Sequence, residues 1–141
     1  MSRCKHHNVC DRDANYPDNC CILHTNVEKK EIDFRKAFNN HLEKIGYDCA
    51  YFVIPIRIDR TFFSDNEFSE TLNFESSVFK SQLNLYHKHF KEGVNFNNCV
   101  FEEYAEFIDC KFSTSSTFFN TRFKGSINFA DSEFENMLNL Y

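Results

Sequence analysis

The sequence predicts a mainly β fold wound as stacked coils, because its large apolar residues are evenly metered and neither a helix nor a flat strand could gather them on one side. They fall at Phe63, Phe68, Phe74, Phe79, Leu85, Phe90, Phe96, Phe101, Phe107, Phe112, Phe118, Phe123, Phe129, Phe134 and Leu140, in steps that alternate five and six. At about 100° per residue on an α-helix, such steps advance roughly 140° and 240° and put neighbouring rings on opposite sides. In a strand, a step of five followed by six swaps pleat parity at every odd step. The chain must therefore turn between rings, with an eleven-residue unit.

The residues beside the rings sharpen this reading. Two positions before the second ring of each unit the side chains are small, at Asn66, Ser77, Cys99, Cys110, Thr121 and Ser132, with Lys88 the exception. Two positions before the first ring they are aliphatic, at Leu72, Leu83, Val94, Ala105, Ile127 and Leu138, with Ser116 the departure. Asn often follows, as at Asn73, Asn84, Asn95, Asn128 and Asn139. Two inward positions separated by a polar residue describe one short strand-like side.

The units "LNFESSVF", "VNFNNCVF" and "INFADSEF" resemble pentapeptide repeats, in which a small or apolar residue precedes Asn or Asp, a central Leu or Phe and two polar residues. The resemblance covers residues 63–141. It implies a right-handed quadrilateral β-helix with the central and preceding small residues inside. Because this chain inserts one residue in every second side, the expected coil holds about 22 residues in place of 20, with the extra one in a bulge or wider corner. Three to four coils at ~4.8 Å spacing make a short rod, ~17 Å long. In such a stack, rings are buried only by the neighbouring coil, so the ends need covers. The open C-terminal coil at Leu140 is the expected site of a homodimer.

Four segments follow: a Cys/His-rich N-terminal stretch at 1–25, an amphipathic capping helix at 26–46, a lead-in at 47–62 and the repeats at 63–141. The chain has 18 Phe and no Trp, which suits a pile of rings that need no hydrogen-bond partner. No apolar run approaches membrane length and no signal-peptide core is present, so a cytoplasmic protein without membrane contact is expected. Residues 1–46 carry eight Lys and Arg against seven Asp and Glu, a net +1, whereas residues 47–141 carry eight against fourteen, a net −6. The repeats thus lack the basic footprint of a nucleic-acid binder.

Four of the seven cysteines precede residue 25, which in a reducing compartment points to metal before disulfides. Cys4, Cys10, Cys21 and His24, spaced C-x5-C-x10-C-x2-H, would close a tetrahedral structural zinc site. Cys20 could replace Cys21, His6 or His7 could replace Cys4, and a merely packed arm is the plain alternative. "CCILH" resembles the Cys-x2-His segment that begins many bacterial pentapeptide-repeat proteins.

Thr25 and Glu28 have capping-box spacing and predict a helix start. Val27, Phe34, Phe38, Leu42 and Ile45 then form one apolar stripe, and Gly46 stands where the helix would end. The natural place of that helix is across the bare first coil. Pro55 within 47–63 argues for an edge or bend. Phe52 and Ile58 are candidates for the first repeat positions. A 22-residue coil puts Cys99 and Cys110 on opposite sides, whereas an eleven-residue coil would stack them.

His87 and His89 read as surface residues, and Glu102, Glu103, Glu106 and Asp109 as an acidic stretch with no cleft to tune it. No phosphate loop, nucleophile elbow or zinc-protease pattern occurs. The expected function is a non-enzymatic scaffold presenting its solenoid surface to a protein partner, with no catalytic residues. The family resemblance also raises an acidic DNA mimic that inhibits a DNA-binding enzyme such as gyrase, against which the short rod counts. An enzymatic reading would require an open zinc position.

Overall fold

The computed structural model describes residues 3–6 and 12–140, which form a four-sided parallel β-solenoid of about four turns with one helix, α1 (Glu31–Lys44), near its N-terminus. Side I stacks Leu72–Asn73, Val94–Asn95, Ser116–Thr117 and Leu138–Asn139. Side II stacks Val53–Ile54, Val78–Phe79, Val100–Phe101 and Arg122–Phe123. Side III stacks Leu83–Tyr86, Ala105–Ile108 and Ile127–Asn128, and side IV stacks Glu67–Phe68, His89–Phe90, Lys111–Phe112 and Glu133–Phe134.

The register fixes the coil at 22 residues: Leu72 lies against Val94, Val78 against Val100, Leu83 against Ala105 and Glu67 against His89. The first coil is longer. Asp48 lies against Asn73, Val53 against Val78 and Ile58 against Leu83, each 25 apart, so three additional residues sit between Ile58 and Glu67. The parallel ladder begins at Asp48.

Each eleven-residue unit turns at a residue held in the left-handed region: Ser76, His87, Asn98, Asp109, Asn120 and Asp131, with φ between 51° and 59°. Asn and Asp adopt this conformation more readily than other non-glycine residues, which explains their recurrence there. Where the turn closes, the next N–H donates back across it, as Ser77 to the Phe74 carbonyl (3.0 Å) and Cys99 to the Phe96 carbonyl (3.2 Å). From strand start to strand start, these corners are six residues long and the others five. Gly125 occupies a five-residue corner because a Cβ there would lie 2.6 Å from the Glu103 carbonyl carbon.

Inside, the rings stack in columns. Phe68, Phe90, Phe112 and Phe134 succeed one another at 5.2, 4.9 and 4.5 Å between centroids. Phe74, Phe96 and Phe118 form a second column, Phe79, Phe101 and Phe123 a third, and Phe107 with Phe129 a fourth. The small slot has a polar purpose as well as a steric one. Its side chain donates to a carbonyl of the preceding coil: Ser77 to Cys49, Cys99 to Phe74, Cys110 to Leu85, Thr121 to Phe96 and Ser132 to Phe107. Cys99 and Cys110 are therefore interior donors on different corners. Burial pushes their thiols up to about 12 and about 11 respectively, which makes them inert at neutral pH.

One interior slot is poorly matched. Ser116 stands in the column of Leu72, Val94 and Leu138, fully buried, and its hydroxyl has no hydrogen-bond partner. Ser116→Val is expected to raise stability by about 1–2 kcal/mol, because it removes a stranded hydroxyl and fills the column. A lower melting temperature in the variant would show that the hydroxyl is bonded, for instance to an ordered water.

The helix covers the first coil. Phe34, Phe38 and His41 are its buried face, and Phe38 meets Phe52 at 5.4 Å and Phe62 at 5.0 Å. Gly46 ends it with φ +102° and an N–H donated to the His41 carbonyl. The start differs from the capping-box reading: the N-cap is Lys30, without a side-chain cap, and the helix opens at Glu31. The Thr25 hydroxyl donates instead to Asp18 and accepts the Val27 N–H, while the Lys29 ammonium donates to the Ile22 and Thr25 carbonyls. Those bonds hold residues 25–29 outside the helix.

His41 donates from Nε2 to the Asp48 carbonyl at 2.7 Å, and its edge meets Phe52. Burial, the largest cause, lowers its pKa from the ordinary 6.5. The unfolded chain therefore takes up this proton at a higher pH than the folded one. Stability from neutral His41 is present above the ordinary value and is lost as pH falls through it toward the depressed folded value. Urea midpoints should decline from about pH 8 to about pH 5, and the decline should shrink in His41→Gln. An equal decline in the variant would discount this residue.

Candidate metal centre

Cys4, Cys21 and His24 converge from two stretches of the arm. The first is fixed by the Cys4 N–H donating to the Arg12 carbonyl (3.0 Å) and the Lys5 N–H to the Asn19 carbonyl (2.7 Å). In the second, the His24 and Thr25 N–H groups both donate to the Cys21 carbonyl (3.1 and 2.9 Å), a tight turn that puts residues 21 and 24 on the same side. All three side chains are buried, and their ligand atoms lie within 4.8 Å of one another. Among the described residues no other His, Cys, Asp and Glu group has this geometry.

The distances suit a shared ion. His24 Nδ1 is 3.5 Å from Cys4 Sγ and 3.2 Å from Cys21 Sγ. Tetrahedral zinc, with bonds of about 2.3 Å to sulfur and 2.0–2.1 Å to nitrogen, places S and N about 3.6 Å apart. The other ring nitrogen, Nε2, is 3.2 Å from the Ala50 carbonyl, which requires a proton on Nε2 and leaves the Nδ1 lone pair facing both sulfurs. A backbone carbonyl that fixes the tautomer in this way is the usual support of a metal-bound histidine. The three residues lie close enough to hold a metal ion.

Of the other residues named from sequence, Cys10 and His7 lie outside the described residues. Cys20 is buried but does not join the group, and burial raises its thiol pKa. His6 stacks between His24 (5.0 Å) and Tyr51 (4.8 Å) without joining the group, and burial lowers its pKa. Sequence reasoning passed over Lys29 and Asp18, which brace the ligand-bearing turn. Lys29 Nζ reaches the carbonyls of Ile22 (2.8 Å) and Thr25 (3.0 Å) above the Phe34 ring, and desolvation lowers its pKa to about 8. Asp18 accepts the Thr25 hydroxyl and the Asn26 N–H.

Several of the other ionisable groups form coil-to-coil pairs. Glu67 meets Lys91, Lys111 meets Glu135, Glu102 meets Lys124, and His87 meets Asp109 at 2.6 Å. Glu106 on side III accepts from Asn84 Nδ2 (2.7 Å) and from the Tyr86 hydroxyl. The acidic stretch is thus laid along one coil from corner to corner.

Residues 96–141 match the family model described as pentapeptide repeats (9 copies). No curated protein and no solved structure matches the chain. The ladder carries the matched register back without a break from Val94 to Leu72 and from Val100 to Val78. The metered rings, the four parallel sides and the family match together identify residues 96–141 as pentapeptide repeats.

Proposed function

We propose that the chain is a non-enzymatic scaffold that presents side III of its solenoid to a protein partner with a basic contact surface, while one structural zinc fixes its N-terminal arm. The observation that carries the reading is the mesh of Asn84, Tyr86 and Glu106, which Arg57 extends from the first coil through a 3.3 Å bond to Asn84. Side III also has the two longest strands, Leu83–Tyr86 and Ala105–Ile108, of four residues each, and displays Tyr86, Tyr104 and Ile108 half-buried. Tyrosines held rigid on a flat face lose little entropy on contact, which is why they recur at the energetic centres of interfaces. Glu103 and Asp109 at the two corners, with Glu106 between, favour a basic partner.

For the zinc, Cys4, Cys21 and His24 supply three ligands, and Cys10 is the fourth by sequence spacing. A closed Cys3His site ties chain segments together and leaves no open position for chemistry. Such thiolates persist in a reducing compartment such as the cytoplasm.

Crosslinked capture from the source cell's lysate tests the docking face. The wild-type chain and a side IV control, Glu133→Ala, should retain the same partner, and the double variant Tyr86→Ala with Ile108→Ala should lose it. Equal capture by all three proteins would reject side III.

A further inference from the structure

We propose that metal occupancy at Cys4, Cys21 and His24 decides whether the side II strand edge of the first coil is covered, so that the arm is a releasable lid over that edge. This rests on the metal reading above and adds what the metal controls. The turn that gathers the ligands is also the one that touches the coil: the Leu23 carbonyl accepts the Val53 N–H at 2.8 Å, and His24 Nε2 donates to the Ala50 carbonyl at 3.2 Å. Elsewhere on side II the corresponding N–H is bonded by the preceding coil, as Val78 to Phe52, Val100 to Ser77 and Arg122 to Cys99. Leu23 stands where a preceding coil would be.

The covering extends to side chains. Val53, Val78 and Val100 occupy one outward column, yet Val53 is 8% exposed and buried whereas the other two are half-exposed. The arm accounts for that difference.

The braces of the lid lie mostly within the arm itself: Asp18 to Thr25 and Asn26, and Lys29 to Ile22 and Thr25. Cys4 lies on a separate stretch, so an ion shared by Cys4, Cys21 and His24 joins two stretches at the point where one of them meets the coil. Withdrawing the ion leaves that join to two hydrogen bonds, from the Lys5 N–H to the Asn19 carbonyl (2.7 Å) and from the Cys21 N–H to Cys4 Sγ (3.4 Å). The later coils stack on each other through their own ring columns, and in such an array each unit depends only on its neighbours. Opening therefore stays at the first coil and uncovers an unpaired parallel edge.

The test is hydrogen exchange followed by mass spectrometry on the full chain, with Zn2+ bound and after chelation, on protein whose metal content has first been measured. Backbone amides of residues 50–56 should exchange about tenfold or more faster without the ion, those of residues 94–118 should be unchanged, and added Zn2+ should restore protection. Cys21→Ser combined with His24→Ala should give the open pattern whether or not Zn2+ is present. Unchanged exchange at 50–56 would overturn the lid, and loss of protection through every coil would show that the ion holds the whole fold. A chain that takes up no Zn2+ rejects the metal reading itself, and the lid with it.

Discussion

Phe96→Ala is expected to destabilise the protein by about 3–5 kcal/mol, the range for emptying a fully buried aromatic site. Phe96 is wholly buried and stacks between Phe74 (5.5 Å) and Phe118 (5.2 Å) in its own column. It also meets Phe79 (5.9 Å), Phe101 (5.6 Å) and Phe107 (5.6 Å) from the flanking columns. A cavity there cannot collapse, because backbone ladders on four sides fix the distance across the tube. Since a domain of this size is stable by only about 5–15 kcal/mol, the change would consume a large share of the total. Urea unfolding followed by circular dichroism measures it. Phe134→Ala is the comparison, since that ring is half-exposed in the last coil and should cost less than half as much. Equal losses at the two positions would contradict the stacking account.

Lys88→Met should cost about 2–4 kcal/mol although the side chain keeps its length and apolar stem. Lys88 is the exception in the small-residue series, and the structure explains it. It is 2% exposed, and its ammonium donates to the Phe63 carbonyl (3.0 Å), the Asp65 carbonyl (2.8 Å) and Asn66 Oδ1 (2.9 Å). The bond to Phe63 is the one that Cys110 and Ser132 make in the same slot of later coils. The other two secure the longer corner between Ile58 and Glu67. Methionine would leave those acceptors unmatched within the fold, and an unmet buried acceptor costs more than a typical bond contributes. Desolvation lowers the pKa of this ammonium, which fits its enclosed position. Matching urea midpoints for wild type and variant would mean that water replaces the lysine without loss.

The spacing of the rings was legible from sequence because each lies inside and nothing interrupts the meter after Phe63. The first coil was less legible. Ile58 pairs with Leu83, but the three additional residues that follow it break the count, and a loop insertion leaves no mark in an apolar pattern. The left-handed corner residues carried a visible signal in Asn98, Asp109, Asn120 and Asp131, which the ring positions overshadowed. The helix start was misread because Thr25 has capping-box spacing, yet Asp18, seven residues earlier in the chain, accepts its hydroxyl. At the metal centre, composition brought forward Cys4, Cys21 and His24, but whether Cys20 or its neighbour faces His24 depends on the turn at residues 21–24, a tertiary matter. Lys29 and Asp18 had no signal, since their role is to hold backbone carbonyls and amides that composition does not reveal.

The 22-residue register makes length an adjustable property of this architecture. Adding or deleting 22 residues within the regular coils would return each side chain to its own column, with stacked rings and slot donors meeting partners of the same kind. A change of eleven would carry the chain only halfway round. Tyr86 of side III would then share a column with Glu75 and Asn97 of side I, and Tyr104 with Gly93 and Ser115, so growth by whole turns preserves the surface and growth by half turns reassigns it.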